Sequence, residues 1–114
     1  MTVYVIQEVK GRNILPAEEY GELELLLSEG SQVVLSSQPT VNKLRRKLRN
    51  YTDNDYLLLM GDPVAMGIAC AIASDVNRGR IQCLKWDKME MKYYPVKFNL
   101  FEKGEIDDWF WKRR

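Results

Sequence analysis

The hydrophobic pattern is clearest near the middle of the chain, where it predicts a strand that turns directly into a helix. Residues 56–60 form an apolar run without polar alternation, which is typical of a strand covered on both faces. Gly61 ends that run, Asp62 is a favourable N-cap, and Pro63 suits the first helical position. Residues 64–73 carry no charge, and a helix that is apolar all round is a buried one. We therefore expect a central strand followed by a core helix.

The rest of the pattern predicts five further strands and one amphipathic helix. The predicted strands are residues 2–9, 22–27, 32–36, 80–86 and 92–100, and the helix is residues 39–51. The central order strand-helix-strand-helix-strand implies two right-handed crossovers between parallel strands. We expect an α/β fold: a single small domain with two helices and a mixed sheet, in which a parallel β-α-β-α-β centre receives antiparallel strands from both ends of the chain. This domain is expected at residues 1–101, followed by a C-terminal tail at residues 102–114.

Composition and cysteine usage narrow the class of protein. A chain of 114 residues with 46% hydrophobic and 29% charged residues has the size and composition of one globular domain. Its start lacks the basic and apolar regions of a signal peptide, and its apolar stretches are too short or too interrupted for a membrane span. Cys70 and Cys83 both fall in apolar elements, which indicates buried free thiols in a reducing compartment. We expect a cytoplasmic protein without a membrane contact.

Charge is distributed unevenly along the chain. The net charge of +1 argues against a general nucleic-acid coat protein, yet residues 15–30 hold five glutamates and no base, and residues 38–50 hold five bases and no acid. The five bases, on the polar side of the predicted helix, are Lys43, Arg45, Arg46, Lys47 and Arg49. Such a face neutralises nucleic-acid phosphates, pairs with the glutamate-rich segment 18–29 within the monomer or on a protein partner, or is simply solvated. No aromatic residues are interleaved with the bases, so a single-strand stacking surface is not indicated.

A ligand crevice is predicted where the parallel strands end, because ligands bind beyond the carboxyl ends of strands in open α/β sheets. The residues at that position are Ser36, Ser37, Thr40, Gly61 and Asp62. They lie beside the N-termini of both predicted helices, whose amides can bind a nucleotide or a phosphate. The same residues also serve as ordinary turn and capping residues. Asp62 disfavours phosphate, and neither loop matches a P-loop or a dinucleotide-binding motif.

Catalytic chemistry has little support in the sequence. The chain has no histidine, which removes the usual general base and the commonest zinc ligand. No catalytic residue, cofactor or metal ligand is predicted. Asp53, Asp55 and Asp62 flank one strand and offer oxygen ligands for a divalent ion, but a solvated acidic loop is the simpler interpretation.

The C-terminal tail concentrates aromatic and charged residues beyond Gly104. Trp109, Phe110, Trp111 and Arg113 are of the residue types that anchor protein interfaces. We expect the tail either to dock on its own domain or to insert into a partner. The small residues of the core helix add a homodimer, packed on that helix, as a further alternative.

Six short segments carry a resemblance to a known family. They are YVIQEV (4–9), LPAEEY (15–20), VVLSSQP (33–39), LMGDP (59–63), LKWD (84–87) and YYP (93–95). In these segments the chain resembles a family of small proteins from tailed phages of marine bacteria, especially cyanobacteria, over about residues 2–100. The resemblance carries no established activity and therefore no catalytic residue. It implies a protein made in the infected bacterial cytoplasm, where small phage proteins without enzymatic motifs bind host or phage machinery.

The sequence leaves three function hypotheses. The leading one is a non-enzymatic phage-type binding protein that contacts a protein of replication, transcription or host takeover through the basic helix and the aromatic tail. The second is a nucleic-acid-binding protein that uses the basic helix. The third is a small nucleotide-binding enzyme that uses the predicted crevice.

Overall fold

The computed structural model describes residues 1–28, 30 and 38–102. The strands are β1 (Thr2–Gln7), β2 (Glu22–Leu27), β3 (Tyr56–Leu58), β4 (Arg80–Asp87) and β5 (Lys92–Asn99). The helices are α1 (Gln38–Leu48), α2 (Pro63–Val76) and a 3-10 helix (Leu15–Tyr20). The α/β fold with a mixed sheet and two α-helices is confirmed. The strand expected at residues 32–36 lies outside the described residues, as do residues 103–114 of the tail.

The five strands form one sheet in the order β2-β1-β3-β4-β5. β1 is parallel to both β2 and β3, and β3 is parallel to β4, whereas β5 pairs antiparallel to β4. The sheet differs from the expectation at the N-terminal end, where β1 and β2 are parallel rather than antiparallel additions. The reason is the segment 8–21, which is long enough to carry the chain back to the starting edge of the sheet. As expected for the strand that contains Pro95, β5 is an edge strand of the described sheet.

α1 and α2 pack side by side on one face of the sheet. The core on this side joins Ile6, Leu57 and Ile81 of the sheet to Leu44 and Leu48 of α1 and to alanines of α2. The starting signals of α2 act as predicted, because the Asp62 carboxylate accepts a hydrogen bond of 2.8 Å from the backbone amide of Val64. The small residues of α2 let the helix lie close to the sheet, and this closeness builds the helix-side core.

The opposite face of the sheet is covered by the 3-10 helix and the chain that leads into it. Val3, Val5, Leu58 and Leu84 form a second core there, together with Ala17 of the 3-10 helix. The Tyr20 hydroxyl at the end of this helix donates a hydrogen bond of 2.9 Å to the Tyr93 carbonyl of β5. The short helix therefore crosses the sheet and connects its two ends.

α2 is not buried all round, contrary to the prediction. Its buried residues include Ala65, Ala69 and Ile72, whereas Val64 is 55% exposed and Gly67 and Ala71 are also exposed. The physical reason is the layered architecture: the sheet covers one face of α2 and α1 covers one flank, so the outer face meets no other described element. Of the helices that the structure describes, none is long and apolar enough to span a membrane.

Candidate functional site

The bases of α1 lie where the helical period predicts, on the side of the helix that faces away from the core. Arg45 and Arg46 are exposed, Lys43 and Lys47 are half-buried, and Arg49, which the prediction placed within the helix, is exposed just beyond the end of α1 at Leu48. They lie there because Val41, Leu44 and Leu48 turn the opposite side of α1 into the core.

Polar contacts hold the bases on the two flanks of α1, whereas its outermost bases have no ion pair among the described residues. Lys47 Nζ donates a hydrogen bond of 3.2 Å to the Leu25 carbonyl of edge strand β2, and Arg45 lies 3.9 Å from the Asp75 carboxylate of α2. The glutamates of β2 make no ion pair with these bases among the described residues. Lys43, Arg46 and Arg49 likewise have no ion pair within the described part of the chain.

Next to the bases of α1, the outer face of α2 forms an exposed strip without charge. Val64, Gly67 and Ala71 are exposed along it, and the first charge that α2 carries is Asp75 at its far end. We call the bases of α1 together with Val64, Gly67 and Ala71 the α1–α2 surface. It combines positive charge and apolar area on one side of the molecule.

The predicted crevice is only partly described, because Ser36 and Ser37 lie outside the described residues. Thr40 is in the first turn of α1, and Gly61 and Asp62 form the turn between β3 and α2. Gln7 reaches this turn from the end of β1, and its side-chain oxygen accepts a hydrogen bond of 2.7 Å from the Asp62 amide. The crevice therefore remains a prediction. At its α2 end, the Gln7 carboxamide and the Asp62 carboxylate already accept hydrogen bonds from the backbone amides at the start of the helix.

The three aspartates considered for a divalent ion are not brought together. Asp53 and Asp55 lie at the amino edge of the sheet, whereas Asp62 lies at the carboxyl edge. Asp55 is buried and accepts hydrogen bonds from the backbone amides of Thr2 and Thr52, both at 2.9 Å. Hydrogen bonds from Arg80 and Asn77 lower the pKa of Asp53. The carboxylates of Asp53 and Asp55 therefore have a structural role, because they connect the loop before β3 to the neighbouring segments.

The two cysteines meet between α2 and β4, as free thiols. The hydrogen bond with Cys70, followed by burial, raises the pKa of Cys83. A thiol with a raised pKa forms little thiolate at neutral pH, and the thiolate is the reactive form. Cys83 is therefore a structural residue of the core.

A cleft of about 490 Å³ opens at the carboxyl edge of the sheet. Residues 11–13 of the segment after β1, residues 58–60 at the end of β3, residues 83–86 of β4, Met91 and Tyr93 line it. The segment after β1 runs to the 3-10 helix on one face of the sheet, whereas the segment after β3 runs to α2 on the other face. Neighbouring parallel strands whose connections diverge in this way leave a crevice, and this is the usual ligand position in doubly wound sheets.

Aromatic rings and positive charge characterise the cleft. The rings of Trp86 and Tyr93 are 4.9 Å apart in an edge-on arrangement. Burial raises the pKa of Tyr93, and the positive charge of Arg12 partly opposes this rise, which reflects how near Arg12 is to the ring. Of the lining residues in the described part of the chain, Arg12 and Lys85 are the charged ones. Neither has an ion pair among the residues that the structure describes.

The sequence pattern did not indicate Arg12, Trp86 and Tyr93 as a group. The signal that could have found them is the parallel pairing of β1 with β3, which brings the segment after β1 to the predicted ligand edge. Without that pairing, Arg12 is a turn residue and Tyr93 an edge-strand residue. Trp109, Phe110, Trp111 and Arg113 of the tail lie outside the described residues.

Strand order, crossovers and cleft together define a small doubly wound α/β domain closed by an antiparallel edge strand. The chain belongs to the family described as Phage Pam3 gp32-like protein, whose model matches residues 1–100. It is therefore a phage protein, as the resemblance implied, and the match ends just before the tail. No curated protein and no solved structure matches the chain.

Proposed function

We propose that this phage protein is a non-enzymatic binding protein whose α1–α2 surface contacts a protein partner of the infected cell or of the phage. The observation that carries the proposal is the position of the bases of α1 directly beside the uncharged, exposed face of α2. The partner surface that fits has acidic side chains next to an apolar patch, as on an amphipathic acidic helix. The proposed place of action is the cytoplasm of the infected bacterium.

The uncharged face of α2 favours a protein partner over a nucleic acid. A phosphate backbone is recognised by charge and hydrogen bonds, and it gains nothing from Val64, Gly67 or Ala71. A protein interface has an apolar centre with a polar rim, and arginine is enriched in it. Arg46 and Arg49 beside an apolar strip supply that combination.

The tail is proposed as a second contact with the same partner. Leu100 donates a backbone hydrogen bond of 2.8 Å to the Gly79 carbonyl just beyond α2, and the ring of Phe101 lies against Gly79. The described chain thus ends beside the end of α2. A tail that leaves from this point, with Trp109 and Trp111 on it, starts next to the α1–α2 surface.

The test compares matched charge and apolar variants in capture from a nuclease-treated lysate, followed by affinity measurement with the purified partner. The charge variant is Arg46→Glu/Arg49→Glu, and its control is Lys88→Glu/Lys92→Glu on the exposed β4–β5 hairpin. The apolar variant is Val64→Ser/Ala71→Gln, which changes no charge. We expect an acidic partner whose affinity falls about tenfold or more in both surface variants and stays unchanged in the control.

Two results would overturn the proposal. One is undiminished affinity in the Arg46→Glu/Arg49→Glu variant, and the other is a captured species that is a second copy of this chain, which would make the surface a homodimer contact. Deleting residues 105–114 tests the tail: the proposal expects weaker capture with the thermal midpoint retained. A large loss of thermal stability would instead show that the tail docks on its own domain.

Nucleic-acid binding is the second candidate, because Lys43, Arg46 and Arg49 have no ion pair among the described residues. It predicts affinity for DNA or RNA that falls steeply with salt. Arg46→Glu/Arg49→Glu should then abolish binding, whereas the uncharged Val64→Ser/Ala71→Gln variant should bind like the wild type. Loss in both variants speaks for a protein partner, and absence of binding to either nucleic acid excludes this candidate.

A further inference from the structure

The cleft at the carboxyl edge has the position and size of a small-molecule site. It lies where the connections after β1 and β3 diverge to opposite faces of the sheet. Its volume of about 490 Å³ falls within the range of about 300–1,000 Å³ typical of ligand pockets. Neither the α1–α2 surface nor the tail is needed to form it, so it is independent of the proposed protein contact.

The wall of the cleft suits a flat ring. Trp86 is 36% exposed and its ring meets the almost fully buried Tyr93 edge-on, so the indole is braced in place by a residue of the neighbouring strand. Met60 and Met91 add polarizable side chains that adapt to the shape of a ring. A base or another planar group stacked on an indole gains contact on a surface that is already ordered.

The charge of the cleft suits an anion. Arg12 enters from the segment after β1, and its charge acts on Tyr93, whereas the Lys85 side chain follows Cys83 in the strand alternation and points to the other face of the sheet. Among the described residues that line the cleft, none is acidic. The oxygen of the Asn13 side chain accepts a hydrogen bond from the Leu15 amide, which leaves the side-chain nitrogen as a donor. A phosphate held here would receive charge-assisted hydrogen bonds from donors only.

We propose that this cleft binds a small anionic ligand with a planar ring, of the mononucleotide class, with the ring against Trp86 and the phosphate at Arg12. Three features support the proposal together: the position at the divergence of β1 and β3, the aromatic wall, and the unopposed positive charge. The proposal concerns binding alone.

The test is a titration followed by nuclear magnetic resonance of backbone amides and the Trp86 indole. The probes are AMP, GMP, CMP and UMP, with the matching nucleosides and inorganic phosphate as separate arms. We expect saturable shifts for at least one nucleotide at residues 11–13, 58–60 and 83–93. Affinity should be about tenfold weaker for Arg12→Gln and for Trp86→Leu, and unchanged for Arg49→Gln on the other side of the sheet.

Each contrary result overturns a stated part of the proposal. If phosphate alone binds as tightly as every nucleotide, the ring site is wrong. If nucleosides bind as tightly as nucleotides, the anion site is wrong. No saturable shift at millimolar nucleotide, or shifts that survive Arg12→Gln and Trp86→Leu, would remove the cleft as a nucleotide site. The variants are compared by their amide spectra first, and if Trp86→Leu fails to fold, Arg12→Gln at its exposed position still decides the test.

Discussion

The side-chain oxygen of Gln7 accepts a hydrogen bond of 2.7 Å from the backbone amide of Asp62, and this contact ties the end of β1 to the start of α2. The side-chain nitrogen of Gln7 donates to the Ser28 carbonyl just after β2, at 3.1 Å. Gln7 is only 4% exposed. One buried carboxamide thus joins three segments at the carboxyl edge of the sheet, the edge that also carries the proposed nucleotide cleft.

Replacing Gln7 with leucine should destabilise the fold. The apolar side chain removes the hydrogen bonds to the Asp62 amide and the Ser28 carbonyl, and a hydrogen bond contributes about 0.5–1.5 kcal/mol to stability. We therefore expect Gln7→Leu to lower the free energy of unfolding by about 1–3 kcal/mol in urea titrations. The neighbouring Glu8→Ala, at an exposed position, should change it by less than about 0.5 kcal/mol. Equal effects of the two substitutions would contradict this role of Gln7.

Gly61 in the turn before α2 and Gly67 inside α2 should respond in opposite directions to alanine. Gly61 has a φ of 101°, and a Cβ there would overlap the side chain of Gln7, so Gly61→Ala should cost about 3 kcal/mol or more. Gly67 lies on the open face of α2 with no neighbouring atom where its Cβ would be placed. Gly67→Ala should therefore stabilise the protein by about 0.5–1 kcal/mol.

Thermal and urea unfolding of both alanine variants measure this contrast. Both substitutions add one methyl group, so opposite signs of the stability change report the backbone conformation and the space available at each position. A Gly61→Ala protein as stable as the wild type would mean that the turn between β3 and α2 tolerates a side chain, and the account of the Gln7 contact would be wrong.

Ionisation of Tyr51 should destabilise the fold at alkaline pH. Burial raises the pKa of Tyr51 from 10.0 to about 12, and its hydroxyl accepts a hydrogen bond of 3.1 Å from the Gln82 amide. Between these two pH values the unfolded chain releases the phenol proton while the folded chain keeps it. Because the folded state then binds more protons, the stability due to this group is complete below pH 10 and is lost as the pH rises towards 12.

Comparison with Tyr51→Phe isolates this effect, since the other tyrosines are common to both proteins. At neutral pH the variant should be less stable by about 1–2 kcal/mol, because the Gln82 amide loses its acceptor. The gap between wild type and variant should then narrow as the pH rises from 10 to about 12, as measured by urea unfolding at successive pH values. A gap that stays constant over this interval would show that Tyr51 ionises in the folded state as easily as in the unfolded one.

Local chemistry in the sequence determined the helices and most of the strands. Asp62 and Pro63 mark the start of α2 because capping and proline geometry act within one turn of chain, and the spacing of Leu44 and Leu48 determines which side of α1 meets water. The phage family was also readable from the sequence, since short segments carry it.

Tertiary structure alone decided which strands are neighbours and what meets at their ends. The parallel pairing of β1 with β3 depends on a crossover whose direction no local pattern encodes, and it brings Arg12 to the cleft that Trp86 and Tyr93 line from the far end of the chain. Exposure of the α2 face was likewise decided by packing, because a helix apolar all round is buried only if other elements cover every side. Within the described part of the chain the sheet and α1 are the neighbours of α2, so local apolarity predicted the helix, whereas the packing of these layers left its outer face exposed.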